Sequence, residues 1–549
     1  MKIIAIKPLD DCNEKFLKGL KKNEVYLFDK AYSIDKYGSI EYHKEKDIQL
    51  FNQDDLQVNI NAIVGKNGTG KSTLVELLLA VINNINYHKQ KNDVISKIKS
   101  EFIRKKKEKN KYKWSSIKTK ELTLNSFILP KNCISYIKDL QVEVIFEDLH
   151  IYKVKINKDD VKLFEHKDKD WGIIDKLDEK KFFYNILVNY SIHSLDSSQN
   201  SWIEPHFYND CDTNIVIEPF RENGNINIQK EEKRVKERLI INLLEPETND
   251  EDGYSFRQIT DTLKADSFVA LGTRKEYELY RKKDLIFNIN DISEHINRKI
   301  ENNIKNEKQS KTIKSVMPKN FFTDIILSNG VRFSQLSSGE KQKIYSINSI
   351  VYHIQRLDKK KYKHINLILD EIELYFHTEL QRTYINDIIE AINKVETDNI
   401  LGINITFITH SPFILSDIPE SKILFLDKES DDADAKTIPK KTDVKTFGAN
   451  IHNLLNSSFF MKNGLMGEFA KKRIKKIVKQ LNDHKEKEKL LTEAEQQDIK
   501  KVIQAIGEPF LKQKLWNMYQ SLFNDTDAEE KRLNDEMARI QKKLESLKK

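Results

Sequence analysis

Short apolar runs that stop at turn residues alternate along this chain with stretches whose apolar positions recur every three to four residues. The two patterns predict strands and helices respectively. Val58–Val64 reads as a strand running into a glycine-rich turn, and Ser72–Val81 as an apolar helix running out of it. Glu24–Phe28, Leu140–Phe146 and Ile151–Ile156 predict an antiparallel layer, the last with the period of two that a half-buried strand requires. Ile365–Asp370 and Ile403–Thr409 are buried-strand patterns, and Lys230–Leu239 and Asp291–Ile300 are charged and helix-like. Lys428–Lys441 is polar and reads as an exposed connection. From Gly464 onward the pattern is helical: Thr492 and Glu495 have capping-box spacing ahead of Ile499, Val502, Ile503 and Ile506, with Gly507 and Pro509 closing the helix. Leu533, Met537, Ile540, Leu544 and Leu547 form a heptad seam of about two repeats, too short to pair stably alone. It predicts packing on the chain's own body, on a second copy or on another protein.

Composition narrows the class. A chain of 549 residues has room for roughly two to four domains. No apolar run approaches the ~20 residues that cross a bilayer. Met1–Ile6 is strand-like and runs into charged residues, unlike a signal peptide. Cys12, Cys133 and Cys211 are isolated, so neither a disulfide framework nor a paired metal site is expected. These features predict a cytoplasmic protein with no membrane contact. The net charge of +8 is concentrated: Lys97–Lys113 holds nine Lys/Arg against Glu101 and Glu108, a balance of +7. With Phe102, Tyr112 and Trp114 interleaved, that run could track a nucleic-acid backbone, or it could be a solvated segment of a lysine-rich chain.

The chemistry lies in two separated sets of residues. Gly65-Lys-Asn67-Gly68-Thr-Gly70-Lys71-Ser72-Thr73 fits G-x-x-x-x-G-K-[ST] and sits between the predicted strand and helix. Its glycines let backbone N–H groups turn inward around phosphates at the positive end of a helix. Lys71 is expected to reach the β- and γ-phosphates and the Ser72 hydroxyl to ligate Mg²⁺. In the second half, Asp370 ends a buried strand, where it can hold the Mg²⁺ shell opposite Ser72, and Glu371 is placed to activate water. His410 follows the next strand, placed to sense the γ-phosphate. Leu336-Ser337-Ser338-Gly339-Glu340 precedes a helix.

These residues resemble the ATP-binding-cassette ATPases, in the soluble branch of chromosome-maintenance and recombination-repair enzymes. The resemblance implies an α/β head: a P-loop, a mixed or parallel sheet and an antiparallel β layer, with an inserted helical region and a C-terminal helical domain. It implies ATP and Mg²⁺ as cofactors, Gly65, Asn67, Gly68, Gly70, Lys71, Ser72 and Thr73 as nucleotide contacts, and Ser72 and Asp370 as metal ligands. Glu371 and His410 match the catalytic base and the switch histidine. Ser337, Ser338 and Gly339 match a signature that grips the γ-phosphate held by another copy, although Ser338 and Glu340 depart from the usual Leu-Ser-Gly-Gly-Gln. The expected divisions are 1–160 (first half of the head, with a basic insertion at about 88–123), 161–330 (inserted, largely helical), 331–430 (second half) and 431–549 (helical interaction domain).

Three further segments, Asn189–Leu195, Ile215–Gly224 and Thr446–Leu455, resemble ATPase subunits of bacterial anti-phage systems, the PtuA type of Septu and retron systems. That resemblance implies a homodimer or higher oligomer that controls an HNH endonuclease of the PtuB type. In retrons a reverse transcriptase with its RNA/DNA is a further implied partner. Asp432 and Asp434 have the spacing of a nuclease acid pair but lie in the polar connection and read as solvated charge. Two other functions stay open: a DNA-clamping repair ATPase, for which the span 161–330 is too poor in heptads to form a long tethering coil, and an ATP-binding scaffold with negligible turnover.

Overall fold

The computed structural model of the chain describes residues 2–52, 56–88, 134–174, 183–191, 195, 200–207, 214–245, 257–270, 285–298, 322–457, 466–523 and 536–537, apart from a few positions inside these ranges. The run Lys97–Lys113, most of the 88–123 insertion and nearly all of the 533–547 seam lie outside them. The chain divides into two compact units, Met1–Phe460 and Met461–Lys549.

In the first unit, β1 (Lys2–Pro8) and β2 (Tyr26–Leu27) precede β3 (Gln57–Gly65), which runs through the glycine loop into α1 (71–88). Four strands follow: β4 (Gln141–Glu147), β5 (Ile151–Asn157), β6 (Asp160–Lys167) and β7 (Asp170–Ile174). Next come β8 (Phe183–Asn189), β9 (Ile215–Glu218) and α2 (Ile228–Leu243), then β10 (Ala265–Ala270), β11 (Leu285–Asn288) and β12 (Phe322–Leu327). The unit continues with α3 (Ser338–Lys359), β13 (His364–Asp370), α4 (Thr378–Asn393), β14 (Gly402–Ile408), β15 (Ile423–Lys428) and β16 (Thr437–Pro439).

The strands make an antiparallel sheet, β2-β1-β4-β5-β6-β7, and a seven-stranded sheet, β9-β8-β13-β14-β3-β15-β16, that is parallel except for β16. Leu74, Leu77, Leu78 and Val81 of α1 pack in one cluster with Ile63, Ile368 and Ile408 of the parallel sheet and Val144, Phe146 and Val154 of the antiparallel sheet. The opposite face of the parallel sheet packs on α3 and α4 through residues such as Ile350, Ile354, Ile385 and Ile388. Burial on both faces explains why these strands read as continuous apolar runs. The α/β class, the antiparallel layer and the strand–loop–helix order are those expected.

Register in the parallel sheet is fixed by an element that hydrophobic patterning does not show. Asn185, Asn366, Asn404 and Asn59 lie side by side on β8, β13, β14 and β3. Asn366 Nδ2 donates to Asn185 Oδ1 at 2.9 Å, Asn404 Nδ2 to Asn366 Oδ1 at 2.8 Å, and Asn59 Nδ2 to Asn404 Oδ1 at 2.6 Å. Asn185, Asn366 and Asn404 are wholly buried. A one-residue slip of any strand would turn its amide to the other face and leave partners unsatisfied, at ~1–3 kcal/mol for each buried polar group.

The span 161–330 holds the helix α2 but also much strand. It gives β8 and β9 to the parallel sheet, and β10–β12 form a separate three-stranded sheet that packs with α2 and the start of α3 through Leu239, Phe268, Ile325 and Ile344. The span is thus interleaved with the central sheet through β8 and β9. The polar stretch 428–441 also differs from the expected exposed connection, because β16 pairs with β15 and buries Thr437, whose carbonyl accepts from Tyr26 Oη.

The second unit contains α5 (Glu468–Lys485), α6 (Glu493–Ala505) and α7 (Pro509–Phe523), packed around Ile477, Leu481, Ile499, Ile503, Leu515 and Tyr519. The capping box of α6 forms: Thr492 N–H donates to Glu495, and Glu495 N–H to Thr492 Oγ1.

Candidate functional site

The loop between β3 and α1 is shaped by three glycines, two of them with positive φ: Gly68 at +78° and Gly70 at +74°. A Cβ at Gly65 would lie 2.4 Å from Thr69 Oγ1 and 2.8 Å from the Leu426 carbonyl, so only glycine fits there. Thr69 Oγ1 closes the loop on the Lys66 carbonyl at 2.8 Å. Lys71 Nζ, almost buried, donates to the carbonyls of Gly65 (3.1 Å) and Lys66 (3.2 Å). Burial lowers the pKa of its ammonium, while Glu371 and Asp370 oppose that shift. Asn67 is exposed on the loop and Thr73 is buried in the first turn of α1.

Parallel strands deliver the other groups to the same end of the sheet. Asp370, the last residue of β13, is 3% exposed. Its pKa is pushed up to about 7 by burial and then by the charge of Glu371; Asn189, Ser72 and Lys71 pull the other way. A buried carboxylate beside a serine hydroxyl, with its charge disfavoured, has the donor set and the electrostatic need for a small oxygen-seeking cation, so these residues fit Mg²⁺. Glu371 turns the chain with φ +50°, a strained value for a side-chain-bearing residue, and its N–H donates to the Ile408 carbonyl at 2.9 Å. One Glu371 carboxylate oxygen lies 3.8 Å from His410 Nε2. The His410 pKa is pushed down to about 4 by burial and by Lys71, so the ring is neutral at physiological pH and acts as a hydrogen-bonding group.

A second tier holds these groups, and strand patterning does not single it out. Asn189 at the end of β8 donates to Asp370 Oδ2 at 2.6 Å. Arg221, 1% exposed, fixes that turn by donating to the carbonyls of Asn189 (3.0 Å) and Ser191 (2.8 Å). Both residues fall in the segments that resemble the anti-phage ATPases, the one signal in the sequence that marks them. Glu373 is buried and accepts from Thr409 Oγ1 and from the His410 N–H (3.2 Å), which sets the backbone of the histidine. Burial raises its pKa. Gln381 bridges the Phe376 carbonyl and Ser411 Oγ, tying the segment after Glu371 to the segment after His410.

The signature lies at the N-terminus of α3. Ser337 and Ser338 are exposed and Gly339 is buried, where a Cβ would meet the Tyr375 carbonyl at 2.9 Å. Ser337 caps α3 in a reciprocal pair: its Oγ accepts from Glu340 N–H, and Glu340 Oε2 accepts from Ser337 N–H at 2.9 Å. Thus the structure brings Lys71, Ser72, Asp370, Glu371 and His410 together and leaves Ser337 and Ser338 facing solvent. Further along, α3 is clamped to β9 and α2 by a buried cluster. Glu218 accepts from Arg238 Nη1 (2.6 Å) and His353 Nε2 (2.7 Å). Its pKa is held well below the usual carboxylate range, against burial, by Arg238 and His353.

No family model matches the chain, and neither does any curated protein. Among solved structures, the chain is similar to the SMC head domain from Thermotoga maritima, with 12% identity, 80% of this chain and 100% of that chain covered, and a TM-score of 0.29. An SmcHead bound to the C-winged helix domain of ScpA gives 12% identity, 80% and 98% coverage and a TM-score of 0.28. The recombination mediator protein RecF-ATPrS of the RecFOR pathway gives 11% identity, 80% and 98% coverage and a TM-score of 0.26. No described helix is long and apolar enough to cross a membrane.

Proposed function

We propose that this chain is an ATP-binding and ATP-hydrolysing regulatory subunit that pairs head to head with a second copy around ATP and controls a partner HNH nuclease in an anti-phage complex. The observation that carries the ATPase reading is the meeting of Lys71, Ser72, Asp370, Glu371 and His410 at one end of the parallel sheet, with Asn189 bonded to Asp370. The exposure of Ser337 and Ser338 at the start of α3, where Ser337 pairs with Glu340, favours a signature that acts on the other copy's nucleotide.

In this reading the glycine-loop N–H groups and Lys71 hold the phosphates, and Lys71 exchanges the Gly65 and Lys66 carbonyls for phosphate oxygens. Ser72 and Asp370 would hold Mg²⁺, which would supply neutralisation of phosphate charge. Glu371 takes the proton of the attacking water, and neutral His410 donates to the transferring phosphoryl group. Asn189 and Glu373 orient the acid and the histidine.

The nuclease partner rests on the three segment resemblances, and the helices of Met461–Lys549 are the proposed partner-facing region. Hydrolysis by wild type and Glu371→Gln tests the ATPase reading. Measurable turnover lost in the variant supports it, while no turnover in either favours a scaffold. Co-expression with an HNH protein tests the partner: a stable complex is expected, and recovery of free monomeric ATPase overturns that part.

A further inference from the structure

The C-terminal unit uses one face of α5 for its own core and leaves the other unusually charged. Ile474, Ile477, Val478 and Leu481 turn inward to the three-helix cluster. Lys472, Lys475, Lys476 and Lys479 recur at helical spacing on the opposite side and are all exposed. A face that merely solubilises a helix interleaves acids three and four residues from its lysines, where they attract. Here the neighbours at those spacings within the stripe are other lysines, which repel. Carboxylates on this face lie at its ends, Glu468 before the stripe and Asp483 and Glu486 after it, and Glu495 of α6 lies near Lys476. The one ion pair found for a stripe lysine among the described residues is a long contact, Lys472 to Glu468 at 3.9 Å. At the head of the stripe Phe469 is 85% exposed.

We propose that this face of α5 binds single-stranded nucleic acid, with the lysines on consecutive phosphates and Phe469 stacked on an unpaired base. One or two lysines per ~5.4 Å turn present a line of point charges to a polyanion of comparable charge spacing. An exposed aromatic beside such a line is the usual platform for a base without sequence preference. A membrane surface is a poorer match, because binding there requires the apolar face of the helix, which is spent on Ile477 and Leu481. The stripe shares no residue with the proposed ATP site.

Fluorescence anisotropy of a labelled oligo-dT with the full-length chain, across a potassium chloride titration, tests the assignment. Reversing three charges (Lys472→Glu, Lys475→Glu, Lys479→Glu) is expected to weaken binding at least about tenfold. It should also lower the slope of log K against log salt by about 2, at ~0.7 per phosphate contact. Phe469→Ala is expected to weaken binding about tenfold with the slope unchanged, as loss of one stacked base requires. Circular dichroism melting verifies that the variants fold. Unchanged affinity and slope in the triple variant overturn the proposal. So does an equal loss from the matched reversals Lys158→Glu, Lys162→Glu and Lys167→Glu on the β5–β6 hairpin, which would mean that net charge alone is read. Polyglutamate competing as well as unlabelled oligo-dT also overturns it, in favour of an acidic protein surface.

Discussion

The same four strands, β8, β13, β14 and β3, are built differently at their two ends. Towards their N-terminal ends the amides are paired across the sheet, in the Asn185–Asn366–Asn404–Asn59 ladder. At the foot of the neighbouring β15, Lys422 binds Asp29 (2.6 Å) and Asp47 (2.9 Å). At their C-terminal ends charges are crowded and conformations are costly. Asp370 is buried beside another carboxylate, Glu371 sits at φ +50°, and the Lys71 ammonium is held by loop carbonyls. One end fixes register and the other holds unfavourable charge, which the proposed phosphate and cation would relieve. A strained, charge-frustrated end is tolerable because the asparagine ladder towards the other end holds the strands in register.

Substitutions at the two ends should therefore fail in different ways. The largest effect is expected from Glu371→Gln, which should lower ATP turnover by at least ~100-fold, the scale of a lost general base, with the melting temperature nearly unchanged. Next, Asn404→Leu should cost about 3 kcal/mol of stability, because Asn59 and Asn366 both lose a buried partner; urea unfolding measures this, and a loss below experimental error would remove the ladder's assigned role. Replacing Asn59, Asn366 and Asn404 together by leucine should cost less than the sum of the single changes, since no orphaned amide is left among the three.

Asn189→Ala is expected to raise the Mg²⁺ concentration needed for half-maximal turnover about tenfold, as for loss of an outer-shell ligand partner, with ATP affinity in the absence of metal little changed. The smallest effect is a pH dependence. Glu218 is ionised in the fold at pH values where the unfolded chain takes up a proton, so its stabilisation is present above the ordinary carboxylate pKa and fades as the pH falls through and below it. His353, whose pKa burial lowers, adds a loss in the same direction below its ordinary value, because the unfolded imidazole protonates first. Glu218→Gln should flatten the acid limb of a stability–pH curve. An unchanged limb would locate acid sensitivity elsewhere.

Sequence alone determines the elements whose signals are local. The glycine loop sets its positive φ values and its Lys-Ser spacing within a few residues, so Gly65, Gly68, Gly70, Lys71 and Ser72 are legible as a unit. So are the strands ending at Asp370 and Thr409 and the cap at Thr492, since each depends on neighbours a few positions away. The α/β class follows from the alternation of such segments. Only the tertiary structure decided which distant residues share a register or a shell. Each ladder asparagine looks, within its own strand, like a polar interruption of an apolar run. Its meaning appears when β8, β13, β14 and β3, far apart in the chain, lie side by side in register. Asn189 reaches Asp370 across more than a hundred residues of chain, Arg221 braces Asn189 from the turn after β9, and Glu373 after β13 reaches His410 after the neighbouring β14. A hydrogen bond is directional and short, so its partner is set by the strand order of the fold, which a hydrophobic period leaves undetermined.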